Sequence, residues 1–221
     1  MILVMLGAQG TGKGTVAKLL SKETSFPHIS TGDMLREIAS KGTDFGNEVK
    51  SLIDNGIFIS DEMMAKILAD RLNEPDAQKG AILDGFPRNL EQGKILDEIL
   101  KERNEKVDLV VNLTTPREEL IERIEGRRIC SNPDCKADFN LVLNPPKEDG
   151  ICDKCHSPLK QRDDDSNREA IERRLATYDE KTRPLVDFYA QRGIVTTQEI
   201  SKSINRFAAE AVVDILKLIE K

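Results

Sequence analysis

Gly7-Ala8-Gln9-Gly10-Thr11-Gly12-Lys13-Gly14-Thr15 follows the apolar run Ile2-Leu3-Val4-Met5-Leu6 and leads into Val16-Ala17-Lys18-Leu19-Leu20. Strand, glycine loop, lysine and helix in that order form a cradle for the phosphates of a nucleotide. The glycines let the backbone curl with its N–H groups pointing inward. The helix adds the positive end of its dipole, and Lys13 adds a mobile cation. In the common form of this loop a Ser or Thr follows the lysine and its hydroxyl ligates Mg²⁺. Here that place is Gly14, and Thr15 comes one residue later. The bland alternative is a glycine-rich turn ahead of an ordinary helix.

Working outward, short apolar runs at residues 2–6, 26–30, 81–84, 107–113 and 193–197 read as strands. Periodic segments at 62–72, 90–100 and 118–124 read as helices between them, and 204–219 carries Phe207, Val212, Ile215, Leu216 and Ile219 at helical spacing. Strands alternating with helices predict an α/β fold with a central five-stranded parallel sheet covered on both faces. Pro116 followed by Arg117-Glu118-Glu119 fits a helix first turn. Two stretches break the alternation. Residues 30–59 are helical in pattern with no strand, and 126–165 hold all four cysteines and four prolines with little periodicity. Each reads as an insertion on a core made of 1–29, 60–125 and 166–221. Asp163-Asp164-Asp165 reads as a solvated turn before a helix.

A chain of 221 residues suits one domain with insertions, or one large domain and one small. The net charge of −6 argues against general nucleic-acid binding through phosphate neutralisation. No apolar run approaches the ~20 residues needed to span a bilayer. The apolar start lacks a basic flank and runs into the glycine loop, so it reads as a first strand rather than an export signal. The expected setting is the reducing cytoplasm, where disulfides are disfavoured.

Cys130-x4-Cys135 and Cys152-x2-Cys155 stand 16 residues apart. Two such pairs suit a closed, structural tetrahedral Zn²⁺ site folding a segment too small to bury its own core. A different thiophilic metal, four free thiols and two disulfides remain the alternatives. Pro133 and the wider first gap require the first knuckle to bulge. His156, beside Cys155, is better placed facing solvent than ligating.

The phosphate loop, Ser30-Thr31-Gly32-Asp33-Met34-Leu35-Arg36, Asp54-Asn55-Gly56, Asp84-Gly85-Phe86-Pro87-Arg88 with Gln92, Arg123 with Gly126-Arg127-Arg128, and Gln161-Arg162-Asp163-Asp164-Asp165 occur in an order that resembles the long-form adenylate kinases with a zinc-bearing lid, within the nucleoside monophosphate kinase family. The resemblance covers essentially the whole chain. It implies reversible, Mg²⁺-dependent transfer of the γ-phosphoryl of ATP to AMP, giving two ADP, by a cytoplasmic monomer that binds neither nucleic acid nor membrane. Bringing two polyanions together calls for fixed cations, and arginine suits because its planar fork holds phosphate oxygens bidentately.

By the resemblance, Lys13, Asp84, Arg88, Arg123, Arg162 and Arg174 are the catalytic set, with Asp84 an acidic partner of Mg²⁺ through water. Gly10, Thr11, Gly12, Lys13, Gly14, Thr15, Arg127, Asp138, Phe139 and Lys202 would bind ATP. Phe139 would stack on its adenine or else fill the lid core. Thr31, Arg36, Ile57, Phe58, Ile59, Gly85, Phe86, Pro87, Arg88, Gln92, Arg162 and Arg174 would bind AMP, with Gln92 and residues 57–59 at its base. Residues 30–59 would be the AMP-binding insertion and 126–165 the lid.

The chain departs from the family pattern in three places. Gln9 stands where a proline is usual, which should loosen the first turn of the loop. The first cysteine gap is two residues longer. One extra residue near 165–167 leaves Arg173 and Arg174 competing for one role, and Arg174 is favoured because Leu175 follows it. Alternatives are another acceptor monophosphate, GTP as donor, or a zinc-ribbon binding protein regulated by nucleotide.

Overall fold

The computed structural model describes residues 1–54, 59–135, 137–162, 165, 167–200 and 204–219. Its centre is a parallel sheet of five strands: β1 (Ile2–Leu6), β2 (His28–Ser30), β3 (Ala81–Asp84), β4 (Val107–Thr114) and β8 (Val195–Glu199). Their order is β2-β3-β1-β4-β8, and every pairing is parallel. The five predicted strands are these five, with β2 starting two residues later than expected and β8 shifted two residues toward the C-terminus.

The run Ile2–Leu6 is wholly buried because both of its faces are covered. Ile2, Val4 and Leu6 pack into one cluster with Leu68 and Leu72 of α4 (Asp61–Leu72), Leu96 and Leu100 of α5 (Leu90–Glu102), and Leu185 and Tyr189 of α8 (Pro184–Ala190). Leu3 and Met5 point the other way. They pack with Val16, Ala17 and Leu20 of α1 (Lys13–Thr24) and with Ala208, Ala211, Val212 and Ile215 of α9 (Ile204–Ile219). Period-two alternation along one strand therefore feeds two hydrophobic layers.

β1 lies between β3 and β4, and the connection after β1, through α1, packs on the opposite face from those after its two neighbours, through α5 and α8, so a crevice opens beyond the carboxyl end of β1. The phosphate loop starts at that end of β1. Asp84 closes β3 in register with Met5 on one side and Ser30 on the other. Helices α2 (Thr31–Ser40) and α3 (Asp44–Asp54) follow β2. Ser30 caps α2 through its side chain.

Between α6 (Arg117–Glu125) and α7 (Arg168–Thr177) lies a second sheet, antiparallel, of β5 (Arg127–Cys130), β6 (Asp138–Asn140) and β7 (Leu159–Lys160) in the order β6-β5-β7. Its small interior holds Cys130, Ala137, Phe139 and Cys152, flanked by Cys135, Cys155 and Leu159. Among the described residues no helix is long and apolar enough to cross a membrane.

Leu20 sits fully buried where α1 meets the sheet and α9. Leu20→Ala should cost about 2–5 kcal/mol of unfolding free energy. That corresponds to a fall in Tm of about 2–4 °C per kcal/mol for a chain of this size. A loss below ~1 kcal/mol in denaturant titrations would show that α1 is not docked on the sheet as described.

Candidate active site

The glycine loop achieves its curl through backbone that side chains rarely adopt. Gly7, Gly10 and Gly12 have φ of 139°, 89° and 92°. At Gly7 a Cβ would stand 2.5 Å from the Leu113 carbonyl oxygen, so the loop rests directly on β4. Gly12 precedes α1 with no side-chain cap, leaving the first N–H groups of the helix open toward the crevice. Thr11 is buried and donates from Oγ1 to the Ala8 carbonyl, which holds the turn.

Lys13 is half-buried and donates to the carbonyls of Gly7 and Ala8 at 2.8 and 2.9 Å. Burial pushes its ammonium down from 10.5 to about 8. Asp84 opposes the shift, and Arg88, Arg127 and Arg174 add to it. Those four charged neighbours define a site: three arginines and one carboxylate converge on the loop lysine. Gly14 faces the same carboxylate, since a Cβ there would lie 3.7 Å from Asp84 Oδ2. The missing hydroxyl thus leaves open space beside an acid. Burial alone would raise the pKa of Asp84. The hydrogen bond from His28, with Nε2 3.2 Å from Oδ2, together with Lys13 and Arg88, outweighs burial and holds it below the ordinary range.

Arg88 is braced from three directions. Its backbone N–H donates to Gln92 Oε1 at 2.7 Å, its Nε donates to the Gly85 carbonyl at 2.7 Å, and Thr182 Oγ1 donates to its carbonyl at 2.7 Å. Gly85 has φ of 93° and touches Thr31, where a Cβ would meet Oγ1 at 2.4 Å. Thr31 is buried and lies close to the Asp84 carbonyl. Phe86 is buried in the core, and its peptide bond to Pro87 is cis.

Asp165 corrects the reading of its acidic run as a solvated turn. Its side chain is wholly buried, and its Oδ2 accepts from Arg127 Nε at 2.7 Å. Its Oδ1 accepts from Arg127 Nη2 at 2.8 Å, Gln9 Nε2 at 2.8 Å and Arg174 Nη1 at 3.3 Å. Gln161 Nε2 donates to its backbone carbonyl. Asp163 and Asp164 lie outside the described residues. A carboxylate so deep in protein must be paired, and here two arginines pair it.

Three other expected site residues meet protein partners that the sequence did not disclose. Arg123 was grouped with the catalytic cations and Arg127 with the ATP ligands. Arg127 faces Lys13, and Arg123 Nη1 lies 3.5 Å from the Gly10 carbonyl of the loop. Arg123 is 4% exposed, paired with Glu119 Oε2 at 3.1 Å and 3.3 Å from Thr115 Oγ1. It lies on the inner face of α6, while Arg127 opens the next strand. Gln92 was expected to hold a base. It is buried, its Oε1 accepts from Arg88 and its Nε2 donates to Asp61 at 2.6 Å, so both ends are occupied by protein. Phe139 was given two readings, and its ring is packed in the lid interior.

The remaining residues fall around this centre. Arg162 lies near Arg127 and Arg36, and near Asp138 at 3.8 Å. Asp138 also pairs with Lys18 of α1, a link between the small sheet and the core that the sequence did not disclose. Arg36 is exposed and paired with Asp33 at 2.6 Å. Ile59 packs against the core of the main sheet. Ile57, Phe58 and Lys202 lie outside the described residues. Arg173 points outward and pairs with Glu169, while Arg174 turns inward to Asp165. Neighbours on a helix point ~100° apart.

Cys130, Cys135, Cys152 and Cys155 are free thiols whose sulfurs all lie within 4.8 Å of one another. Cys130 Sγ is 3.3 Å from Cys155 Sγ, and Cys135 Sγ is 3.6 Å from Cys152 Sγ. Four sulfurs about 2.3 Å from a central ion would be about 3.8 Å apart, so the cluster fits a tetrahedral metal. His156 is exposed, with φ of 58°.

A family model described as adenylate kinase matches residues 5–194. An adenylate kinase of Archaeoglobus fulgidus is 48% identical over 204 residues, spanning 92% of this chain and 93% of that protein. One from Methanocella arvoryzae is 44% identical over 218 residues, 99% and 100% of the two chains. One from Caldicellulosiruptor bescii is 42% identical over 215 residues, 92% and 99% of the two chains.

The depressed pKa of Lys13 has a measurable consequence. Between about 8 and 10.5 the unfolded chain keeps this proton and the folded, empty site releases it. The penalty from Lys13 is therefore full below that window and is relieved as pH rises through it. Bound polyphosphate favours the ammonium and reverses the shift. At pH about 8, nucleotide binding should take up protons, seen in calorimetry as a heat that varies with the ionisation enthalpy of the buffer. Lys13→Met should abolish the uptake, and uptake unchanged in that variant would assign it to another group.

Proposed function

The chain belongs to the adenylate kinase family of phosphotransferases, and from that premise we propose how its residues carry the γ-phosphoryl of Mg–ATP to AMP and back. The observation that supports this reading is the convergence of Arg88, Arg127, Arg174 and Asp84 on Lys13. In the forward direction an oxygen of the AMP phosphate forms a bond to the γ-phosphorus as the bond to the β,γ-bridging oxygen breaks, leaving two ADP. Little covalent chemistry falls to the protein, so positioning and charge carry the rate.

The backbone of Gly10–Thr15 and the open end of α1 cradle the ATP phosphates. Lys13 follows the charge of the transferring group. Arg127, Arg162 and Arg174 surround it from the lid side. Arg88, fixed by Gln92, Gly85 and Thr182, takes the AMP phosphate, with Thr31 and Arg36 beside it. Mg²⁺ bound with ATP would supply the charge that screens its phosphates. Asp84, next to the space left by Gly14, is the acid that faces it, consistent with the preference of Mg²⁺ for few carboxylates and retained waters. Arg123, held by Glu119 and Thr115 with its Nη1 3.5 Å from the Gly10 carbonyl of the loop, completes the catalytic cations. Roles for Ile57, Phe58 and Ile59 at the AMP base, and for Asp138, Phe139 and Lys202 around ATP, rest on the family alone.

We assign 1–29, 60–125 and 166–221 to the core, 30–59 to the AMP-binding insertion and 126–165 to the lid. The lid cysteines hold structural Zn²⁺. The protein acts as a cytoplasmic monomer without nucleic-acid or membrane partners, in keeping with its net charge of −6.

Kinetics with ATP and AMP test the arginine assignment. Arg174→Ala should lower kcat/KM at least about a hundredfold. Arg173→Ala, which removes an exposed ion pair, should lower it less than about tenfold. The reverse ranking would shift the assignment by one residue.

Metal analysis tests the lid. One Zn²⁺ per chain is expected, and its removal should lower Tm and expose the amides of 126–165 to hydrogen exchange before those of the main sheet. Protein purified without chelator that contains no metal would rule the site out.

A further inference from the structure

Gln9 sits between the positive-φ glycines of the phosphate loop, is half-buried, and takes no part in the roles assigned above. Its Nε2 nonetheless reaches 2.8 Å to Oδ1 of Asp165, far along the chain. That oxygen already accepts from Arg127 at 2.8 Å and Arg174 at 3.3 Å. Of these three donors, Gln9 alone is neutral and alone belongs to the phosphate loop. The arginines and Lys13 repel one another. Asp165 holds the two arginines, and the Gln9 amide ties Asp165 to the loop. A hydrogen bond to a wholly buried carboxylate is among the stronger kinds, because the carboxylate has no water to fall back on.

We infer that Gln9 is a positioning residue for phosphoryl transfer: through Asp165 it holds Arg127 and Arg174 at the phosphate loop. The inference rests on the reading that these arginines stabilise the transferring group.

The test compares Gln9→Met, which keeps length and loses the donor, with Gln9→Glu in the full chain. Among the described residues the groups facing this point are Asp165, Arg127 from β5 and Arg174 from α7, with Lys13 from α1 and Arg162 nearby. All are present in the parent, so ratios to the parent isolate position 9. Gln9→Met should lower kcat about tenfold with the KM for ATP within about twofold, because the arginines act on the transition state rather than on ground-state binding.

In Gln9→Glu the neutral acid can donate to Asp165 as the amide does, whereas the ionised form sets carboxylate against carboxylate. Its kcat relative to the parent should therefore rise about fivefold from pH ~8 to pH ~6. A Gln9→Met enzyme that melts lower yet keeps kcat within about twofold would make Gln9 merely structural and overturn the inference. A Gln9→Glu ratio that is flat with pH would overturn it too. If Arg174→Ala were harmless, the underlying arginine assignment would fall, and that result is separable from either outcome at position 9.

Discussion

Like charges that repel one another are held together in this protein by two carboxylates withdrawn from water. Burial first, and then the fields of Arg88, Arg127 and Arg174, lower the pKa of Lys13. Asp84 offsets this repulsion on one side of the loop and Asp165 on the other. Neither carboxylate can be given up cheaply, because a buried cation cluster without its counter-charge is far more costly than a buried pair. Among the described residues cations outnumber acids at the centre, which suits a set of phosphate oxygens. A site with surplus positive charge held rigidly in place stabilises charge that develops during transfer without reorganising to meet it.

The sheet explains why these residues can meet. All five strands run in one direction, so their carboxyl ends lie along one edge. The loop after β1, Asp84 at the end of β3, Thr31 after β2 and Thr115 after β4 are distant in sequence and adjacent in space for that reason alone. Packing of α4, α5 and α8 on one face and of α1 and α9 on the other makes the edge stiff. The small antiparallel sheet is different in kind. Its interior is made of four side chains, two of them cysteines, and among the described residues its ties to the core include polar ones: Asp138 to Lys18 and the Asn140 amide to the Arg123 carbonyl. A unit so small depends on a cross-link, which the cysteine cluster can supply.

Much of this was legible in the chain. The run Ile2–Leu6 ahead of the glycine loop announced a buried parallel strand. The cysteine pairs announced their cluster, since short spacings turn two sulfurs toward one point. Legibility ended where a contact depends on what lies opposite. Arg123 and Arg127 are four residues apart and alike in type, but one ends up on the inner face of α6 against Glu119 and the other across from Lys13. Gln92 has the polar tip of a base-binding residue, yet its neighbours Arg88 and Asp61 occupy both ends. Phe139 reads as an exposed platform or a core ring until the small sheet closes over it.

The sequence by itself determined the order of strands and helices, the phosphate loop and the metal-fitting cysteines. Each is encoded by local spacing: period two in a strand, glycines where φ must be positive, thiols a few residues apart. Only the tertiary structure decided which charges are neighbours. Asp165 in an acidic run looks like solvated surface, and Gln9 looks like a relaxed proline position. Their meeting at 2.8 Å spans most of the chain. Electrostatic roles follow distance and burial rather than residue type, and both are set by the fold as a whole.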